Sequence, residues 1–196
     1  GSELRRIITD AGLKCESSHY GMGELRDHLD NRIEWSLEMG ITQIIASSFW
    51  VPGDASIDDY RRACDELNAI GLKIKAAGLQ TGFHNHDKEF EKRGDDLIYD
   101  SLLAQLDPGI VKMQFQVAVV NIGYKAADYF RKYPGRFISA HQADWSDEKK
   151  AQVPIGQGIV DWDDFFAAAK TGGVKNFFVE MEPDTFPDSA RFLKKM

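Results

Sequence analysis

The chain has 196 residues, of which 43% are hydrophobic and 28% are charged, a composition typical of one globular domain with a sizeable core. A net charge of −7 gives the protein no general attraction for nucleic acid or anionic membranes, so neither is expected as a partner. Cys15 and Cys64 are too few for a disulfide framework, and we expect two buried free thiols.

Helical and strand-like patterns alternate along the chain and predict an α/β fold. In chain order they are a helix at 3–11, a strand at 13–19, a helix at 25–39, a strand at 42–47, a helix at 58–70, a strand at 79–85, a helix at 95–106, a strand at 111–117, a helix at 125–133, a strand at 136–141, a helix at 162–171, a strand at 175–181 and a helix near 187–195. Gly12, Gly40 and Gly71 follow the first three helices and are predicted to end them.

Short connections between these elements predict parallel strands joined by helical crossovers. An open doubly wound sheet and a (β/α) barrel both fit, but no G-x-G-x-x-G follows the first strand to indicate dinucleotide binding. No linker-like segment divides the chain, so residues 1–196 are expected to form a single domain. Gly1-Ser2 is typical of a cloning remnant, so a leader could have been removed. Both a cytoplasmic and a periplasmic location therefore stay open.

Polar side chains recur where the predicted strands end, and the carboxyl ends of parallel strands form the site face of such folds. These residues are His19, Ser47, Ser48, His84, His86, Gln116, His141, Glu180 and Glu182. Imidazoles and carboxylates at one face suit a divalent ion of borderline softness such as Mn²⁺, Zn²⁺ or Co²⁺. Each residue alone also fits a hydrogen-bonded structural role, and Asp87 and Glu89 also fit the polar start of a loop.

Four segments resemble motifs of the sugar phosphate isomerase/epimerase family, the xylose isomerase-like TIM barrels. They are GFHNHDKEF (82–90), DYFRKYPGRFISAHQAD (128–144), IGQGIVDW (155–162) and FFVEME (177–182). The resemblance implies a (β/α)₈ barrel with one divalent cation (Mn, Zn, Co or Mg) at the strand ends. Carried over by position, the metal ligands are His84, Gln116, His141 and Glu180.

Two departures from the family follow from the same alignment of motifs. Gln116 stands where the family usually has an aspartate, and a carboxamide supplies no negative charge, so cation affinity should fall. Counted backwards from Glu180, the strand at 13–19 is the third of eight, so the barrel is N-terminally incomplete with about six strands. Unpaired edges next to residues 13–18 and 176–181 predict a homo-oligomer.

The implied activity is a metal-assisted isomerase or epimerase that acts on a sugar through an enediolate. Glu180 is the candidate base, and His84 or Glu89 is the candidate second proton-transfer group. His19, His86, Trp50 and Trp145 are candidate substrate-binding residues, and the lack of a glycine-rich cradle slightly favours an unphosphorylated sugar. Two alternatives stay open: a dehydratase or lyase that acts on a keto-sugar, and a sugar-binding barrel that has lost its metal.

Overall fold

A computed structural model of the protein describes residues 1–49 and 51–196. The chain divides into two compact units, Gly1–Lys112 and Met113–Met196. The prediction of a single domain over residues 1–196 stays a prediction. Trp50, a candidate sugar-binding residue, lies outside the described residues.

The first unit alternates helices with three parallel strands. Its elements are α1 (Ser2–Asp10), β1 (Ser17–Tyr20), α2 (Met22–Met39), β2 (Gln43–Ala46), α3 (Ile57–Ala76), β3 (Gln80–His84), the short hairpin strands β4 (Lys92–Arg93) and β5 (Asp96–Leu97), and α4 (Ile98–Gln105). A 3₁₀ turn, Asp87–Phe90, follows β3. Strand β2 pairs in parallel with β1 on one side and with β3 on the other.

The second unit repeats this alternation after a strand, β6 (Val111–Gln116), in which the division between the units falls. The elements that follow are α5 (Ala126–Lys132), β7 (Phe137–Gln142), the hairpin strands β8 (Trp145–Ser146) and β9 (Ala151–Gln152), α6 (Trp162–Gly172), β10 (Asn176–Val179) and α7 (Phe186–Leu193). Strand β7 pairs in parallel with β6 and with β10, so His141 lies opposite both Gln116 and Phe178. The predicted parallel strands with helical connections are therefore confirmed.

Each unit has its own apolar core. In the first, Ile44 and Ile45 of β2 and Leu67 of α3 are fully buried. In the second, the core is aromatic: the ring of Phe130 in α5 lies 4.8 Å from Phe137 and 5.6 Å from Phe165. The first pair meets edge-to-face and the second is tilted, and aromatic contacts at such distances stabilise a core beyond the burial of area alone.

Helix α3 shows where local chemistry sets an element and where the sequence-based prediction is wrong. The helix begins with a reciprocal cap, in which the Ser56 N–H donates to Asp59 Oδ2 at 2.8 Å and the Asp59 N–H donates to Ser56 Oγ at 3.3 Å. Gly71 does not end it, because the helix continues to Ala76. A Cβ at position 71 would lie 2.6 Å from Ile110 Cγ2, so this glycine permits close packing.

Two further expectations need correction. The strand predicted at residues 13–19 begins only at Ser17, and Leu13 is 66% exposed. Neither cysteine forms a disulfide, as expected, but Cys15 is half-buried whereas Cys64 is fully buried.

Two strands have an unpaired edge within the described residues, since β1 pairs only with β2 and β10 only with β7. Among those same residues no helix combines the length and the apolar character that crossing a membrane requires.

Candidate active site

Three histidines of the first unit lie side by side at the carboxyl ends of β1 and β3. His84, the last residue of β3, is 1% exposed, and its ring centroid lies 5.0 Å from that of the exposed His19. His86, two residues later and exposed, meets the His84 ring edge-on at 4.8 Å. The sequence-predicted strand-end histidines of this unit are therefore brought together.

Glu89 lies in the 3₁₀ turn after these histidines and is buried. Its Oε2 accepts a hydrogen bond from the backbone N–H of His86 at 2.6 Å. Burial raises the pKa of the Glu89 carboxyl, because removal from water disfavours the charged form more than this hydrogen bond favours it. Burial raises the pKa of the Tyr60 hydroxyl, and the neighbouring Glu89 carboxyl raises it further.

A second group of candidate residues lies at the carboxyl ends of three strands in the second unit. Glu180 follows β10 directly, and its backbone N–H donates to the Gln142 carbonyl at 3.0 Å. Its Oε2 contacts His141 Nδ1 at 2.7 Å and also accepts a hydrogen bond from Gln116 Nε2. The side chain of Glu180 is 53% exposed and that of His141 is 12% exposed, so the carboxylate is the accessible member of this group.

The carboxamide of Gln116 has a defined orientation. Its Oε1 accepts a hydrogen bond from the backbone N–H of Ala118 at 3.2 Å, at the start of the 3₁₀ segment Val117–Ile122. A backbone N–H requires an acceptor, so the oxygen faces Ala118 and the NH₂ group faces Glu180. The site therefore receives an N–H donor from Gln116.

The predicted ligands differ in how well their chemistry fits a cation. The imidazoles of His84 and His141 and the carboxylate of Glu180 are donor types that bind Zn²⁺, Mn²⁺ or Co²⁺. Gln116 does not fit in its present orientation, because ligation would require its carboxamide to turn and to give up the hydrogen bond from Ala118. Three of the four predicted ligands thus have donor atoms that suit a divalent cation, and ligation by Gln116 stays a prediction.

Trp145, a candidate for binding sugar, and Glu182, a polar residue at a strand end, lie near the second-unit residues in sequence. Trp145 is half-buried in the β8 hairpin strand, and its position leaves it as a candidate for binding sugar. Glu182 is exposed, and its backbone N–H donates to Gln152 Oε1 at 3.3 Å.

Sequence reasoning missed Asp144, which organises the loop that follows β7. Its buried carboxylate accepts hydrogen bonds from the backbone N–H groups of Trp145 (2.9 Å), Gly156 (2.9 Å), Gly158 (3.1 Å) and Val160 (3.2 Å) and from the indole Nε1–H of Trp162 (3.0 Å). The segment IGQGIVDW carried the signal, because two glycines and a tryptophan supply three of these donors. A Cβ on Gly158 would overlap the Asp144 carboxylate.

Comparison with known proteins identifies the architecture. Residues 2–196 match the family model described as xylose isomerase-like TIM barrel. Two sugar phosphate isomerase/epimerases from Parabacteroides distasonis have similar structures. The first has a TM-score of 0.85 at 21% sequence identity, over 100% of this chain and 77% of the other. The second has a TM-score of 0.79 at 24% sequence identity, over 99% of this chain and 80% of the other.

A family 2 AP endonuclease from Brucella melitensis is also similar, with a TM-score of 0.74 at 14% identity over 97% of this chain and 82% of the other. No protein of curated function matches the sequence. At these identities, structural similarity establishes the fold, and the activity has to be argued from the residues.

Proposed function

The chain belongs to the xylose isomerase-like TIM barrel family, and from that premise we propose that it is a sugar isomerase or epimerase. The reaction would move a proton at a carbon next to the carbonyl group of a small sugar or sugar derivative. The resemblance of the sequence motifs and the names of the two Parabacteroides distasonis relatives support this class of substrate.

The observation that carries the proposal is the arrangement of Glu180 in the second unit. A catalytic base needs a carboxylate that is held in position and open to substrate. Contacts with His141 and Gln116 hold the Glu180 carboxylate, and half of its side chain surface is exposed. Glu180 would take the proton from the carbon next to the carbonyl and return it to the neighbouring carbon in an isomerase.

An epimerase needs a second proton-transfer group on the other face of the substrate carbon. His84 and Glu89 are the candidates. Burial raises the pKa of Glu89, so this carboxyl stays protonated to a higher pH than an exposed glutamate and could donate a proton. His19, His86, Trp50 and Trp145 would bind the sugar, through hydrogen bonds from imidazole and through stacking on aromatic faces.

As the family resemblance implies, His84, His141 and Glu180 would supply imidazole and carboxylate donors to a divalent cation. When bound, such an ion supplies positive charge beside the carbonyl oxygen of the substrate, which acidifies the neighbouring C–H bond. The unpaired edges of β1 and β10 support the prediction that the protein associates with itself, which light scattering would check.

Proton exchange measured by NMR in D₂O tests the proposal. Phosphorylated and unphosphorylated aldoses and ketoses would be incubated with wild type, Glu180→Gln and the control Glu182→Gln, which changes an exposed carboxylate two residues away. We expect wild type to place deuterium at the carbon next to the carbonyl. The rate of this exchange should fall about 10²–10⁴-fold in Glu180→Gln and change little in the control.

Other outcomes of the same experiment separate the alternatives. Loss of a substituent at the next carbon would favour a dehydratase or lyase. The absence of exchange with every sugar, with no metal in protein purified without chelator and no thermal shift on adding Mn²⁺, Zn²⁺, Co²⁺ or Mg²⁺, would contradict the proposed reaction and favour a sugar-binding barrel.

A further inference from the structure

We propose that Gln116 is a positioning residue, whose carboxamide N–H holds the Glu180 carboxylate in place without a cation. This inference deepens the proposed function, because it assumes that Glu180 is the residue that needs positioning. It differs from the role that the family resemblance implies for this position, which is a metal ligand.

The orientation of the Gln116 side chain carries the first step. Gln116 is the last residue of β6 and is 9% exposed, so its carboxamide has little freedom to turn towards solvent. The N–H of Ala118 lies 3.2 Å from Oε1 and fixes the oxygen on the side of the 3₁₀ segment. The NH₂ group is therefore directed at Glu180 by the backbone of the same loop.

The second step is the convergence of a carboxamide donor and an imidazole nitrogen on one carboxylate oxygen. Gln116 Nε2 and His141 Nδ1 both contact Glu180 Oε2. Gln116 and His141 are opposite each other in the register of β6 and β7, and Glu180 follows the strand paired with β7 on its other side. Three adjacent strands thus supply the carboxamide, the imidazole and the carboxylate, and the pairing of the strands sets their spacing.

The third step is what the usual residue would do in the same place. An aspartate at position 116 would set a second negative charge beside Glu180, and two carboxylates at hydrogen-bond distance repel each other unless a cation or a proton lies between them. The carboxamide removes that repulsion and adds an attractive hydrogen bond to a charged group. Glu180 is therefore held in this protein by an interaction that needs no metal.

A thermal-stability cycle in the presence of EDTA tests the inference. The full chain would be measured as wild type, Gln116→Met, Glu180→Ala and the double variant, since methionine keeps the length of glutamine and has no N–H donor. We expect Gln116→Met to lower Tm by about 2–4 °C in wild type, as the loss of one ordinary hydrogen bond at a half-exposed carboxylate would give, and by less than about 1 °C in the Glu180→Ala background.

The matched control is Gln114→Met, which removes a buried carboxamide two residues earlier on the same strand. Gln114 Nε2 donates to Ser139 Oγ at 2.9 Å, so its loss should lower Tm equally in both backgrounds. Equal Tm losses for Gln116→Met in the two backgrounds would overturn the inference, because Gln116 would then not act on Glu180. No loss in EDTA together with weaker Zn²⁺ or Mn²⁺ binding would also overturn it and would restore Gln116 as a ligand.

A kinetic measurement distinguishes this inference from the proposed function. With a sugar that wild type turns over, Gln116→Met should lower kcat about 10-fold and leave KM within about 2-fold, because the base is misplaced while substrate binding is kept. A change in KM alone would count against a positioning role. If wild type turns over no sugar, the proposed function fails, while the cycle in EDTA still decides whether Gln116 holds Glu180.

Discussion

Asp144 and Glu89 are buried carboxylates in different units, and their surroundings differ in the number of donors that face them. Asp144 is 1% exposed and accepts five hydrogen bonds, four of them from the backbone of its own loop. Glu89 is 2% exposed and accepts a hydrogen bond from the backbone N–H of His86, while burial raises its pKa.

The difference separates a structural carboxylate from a candidate functional one. The donors around Asp144 compensate its removal from water, so its negative charge can fix the course of residues 144–162. Glu89 is left with a carboxyl group that takes up a proton more readily than usual, next to the histidine-rich end of β3. Groups with such perturbed pKa values concentrate at functional sites, which supports Glu89 as a proton-transfer residue.

Replacement of Asp144 should give the largest effect. Asp144→Ala leaves four backbone N–H groups and one indole N–H without their acceptor in a buried loop, so we expect a loss of about 3–5 kcal/mol in the free energy of unfolding. Urea denaturation measures it. The control Asp147→Ala removes an exposed carboxylate of the same loop and should change stability by less than about 0.5 kcal/mol. A small loss for Asp144→Ala would show that the hydrogen bonds do not organise the loop.

An intermediate effect is expected from crowding the same carboxylate. Gly158→Ala adds a methyl group that would overlap Asp144, so the loop must shift, at a cost of about 1–3 kcal/mol. Gly53→Ala is the matched control, because no atom lies within 4 Å of a Cβ there. Urea denaturation of both variants decides the matter, and equal stabilities would contradict the close fit of Gly158 to Asp144.

The smallest effect concerns Glu89 and depends on pH. Its folded-state pKa lies above the ordinary value of 4.5, so the folded protein holds this proton more tightly than the unfolded chain. The contribution of Glu89 to the free energy of unfolding is therefore fully present below about pH 4.5 and falls as the pH rises through the folded pKa. Relative to Glu89→Gln, wild type should lose stability over that window.

Unfolding of both proteins across a pH series measures this effect. Glu91→Gln, a change at an exposed neighbour, shows the background that a lost surface carboxylate produces. If the stabilities of wild type and Glu89→Gln differed by the same amount at every pH, the pKa of Glu89 would be ordinary. That result would count against Glu89 as a proton-transfer residue.

Periodicity could predict the long elements because each has a repeating apolar face. Helix α2 was predicted within three residues of its observed limits, since buried side chains recur along it. Strand β2 was predicted within one residue, because its four residues form a short, fully buried run. The β4–β5 and β8–β9 hairpins have two residues in each strand, too few to show any period, and were missed.

The candidate site was predictable in its residues and not in its hydrogen bonds. His84, His141 and Glu180 could be selected because each falls at or next to a strand end. The direction of the Gln116 carboxamide depends on an N–H group two residues away, and the role of Asp144 depends on donors 12–18 positions later. Such contacts exist only after the loops have folded, so the pattern of residue types can point to a segment such as IGQGIVDW without revealing which acceptor its N–H groups face.

Gly71 limits how this protein could be engineered for heat resistance. Exchange of a glycine inside a helix for alanine ordinarily gains up to about 1 kcal/mol through the lower entropy of the unfolded chain. At position 71 the added methyl group would lie 2.6 Å from the Ile110 side chain, which removes that gain. A stabilising alanine would have to be paired with alanine at position 110, because valine would keep the Cγ2 methyl group that is in the way.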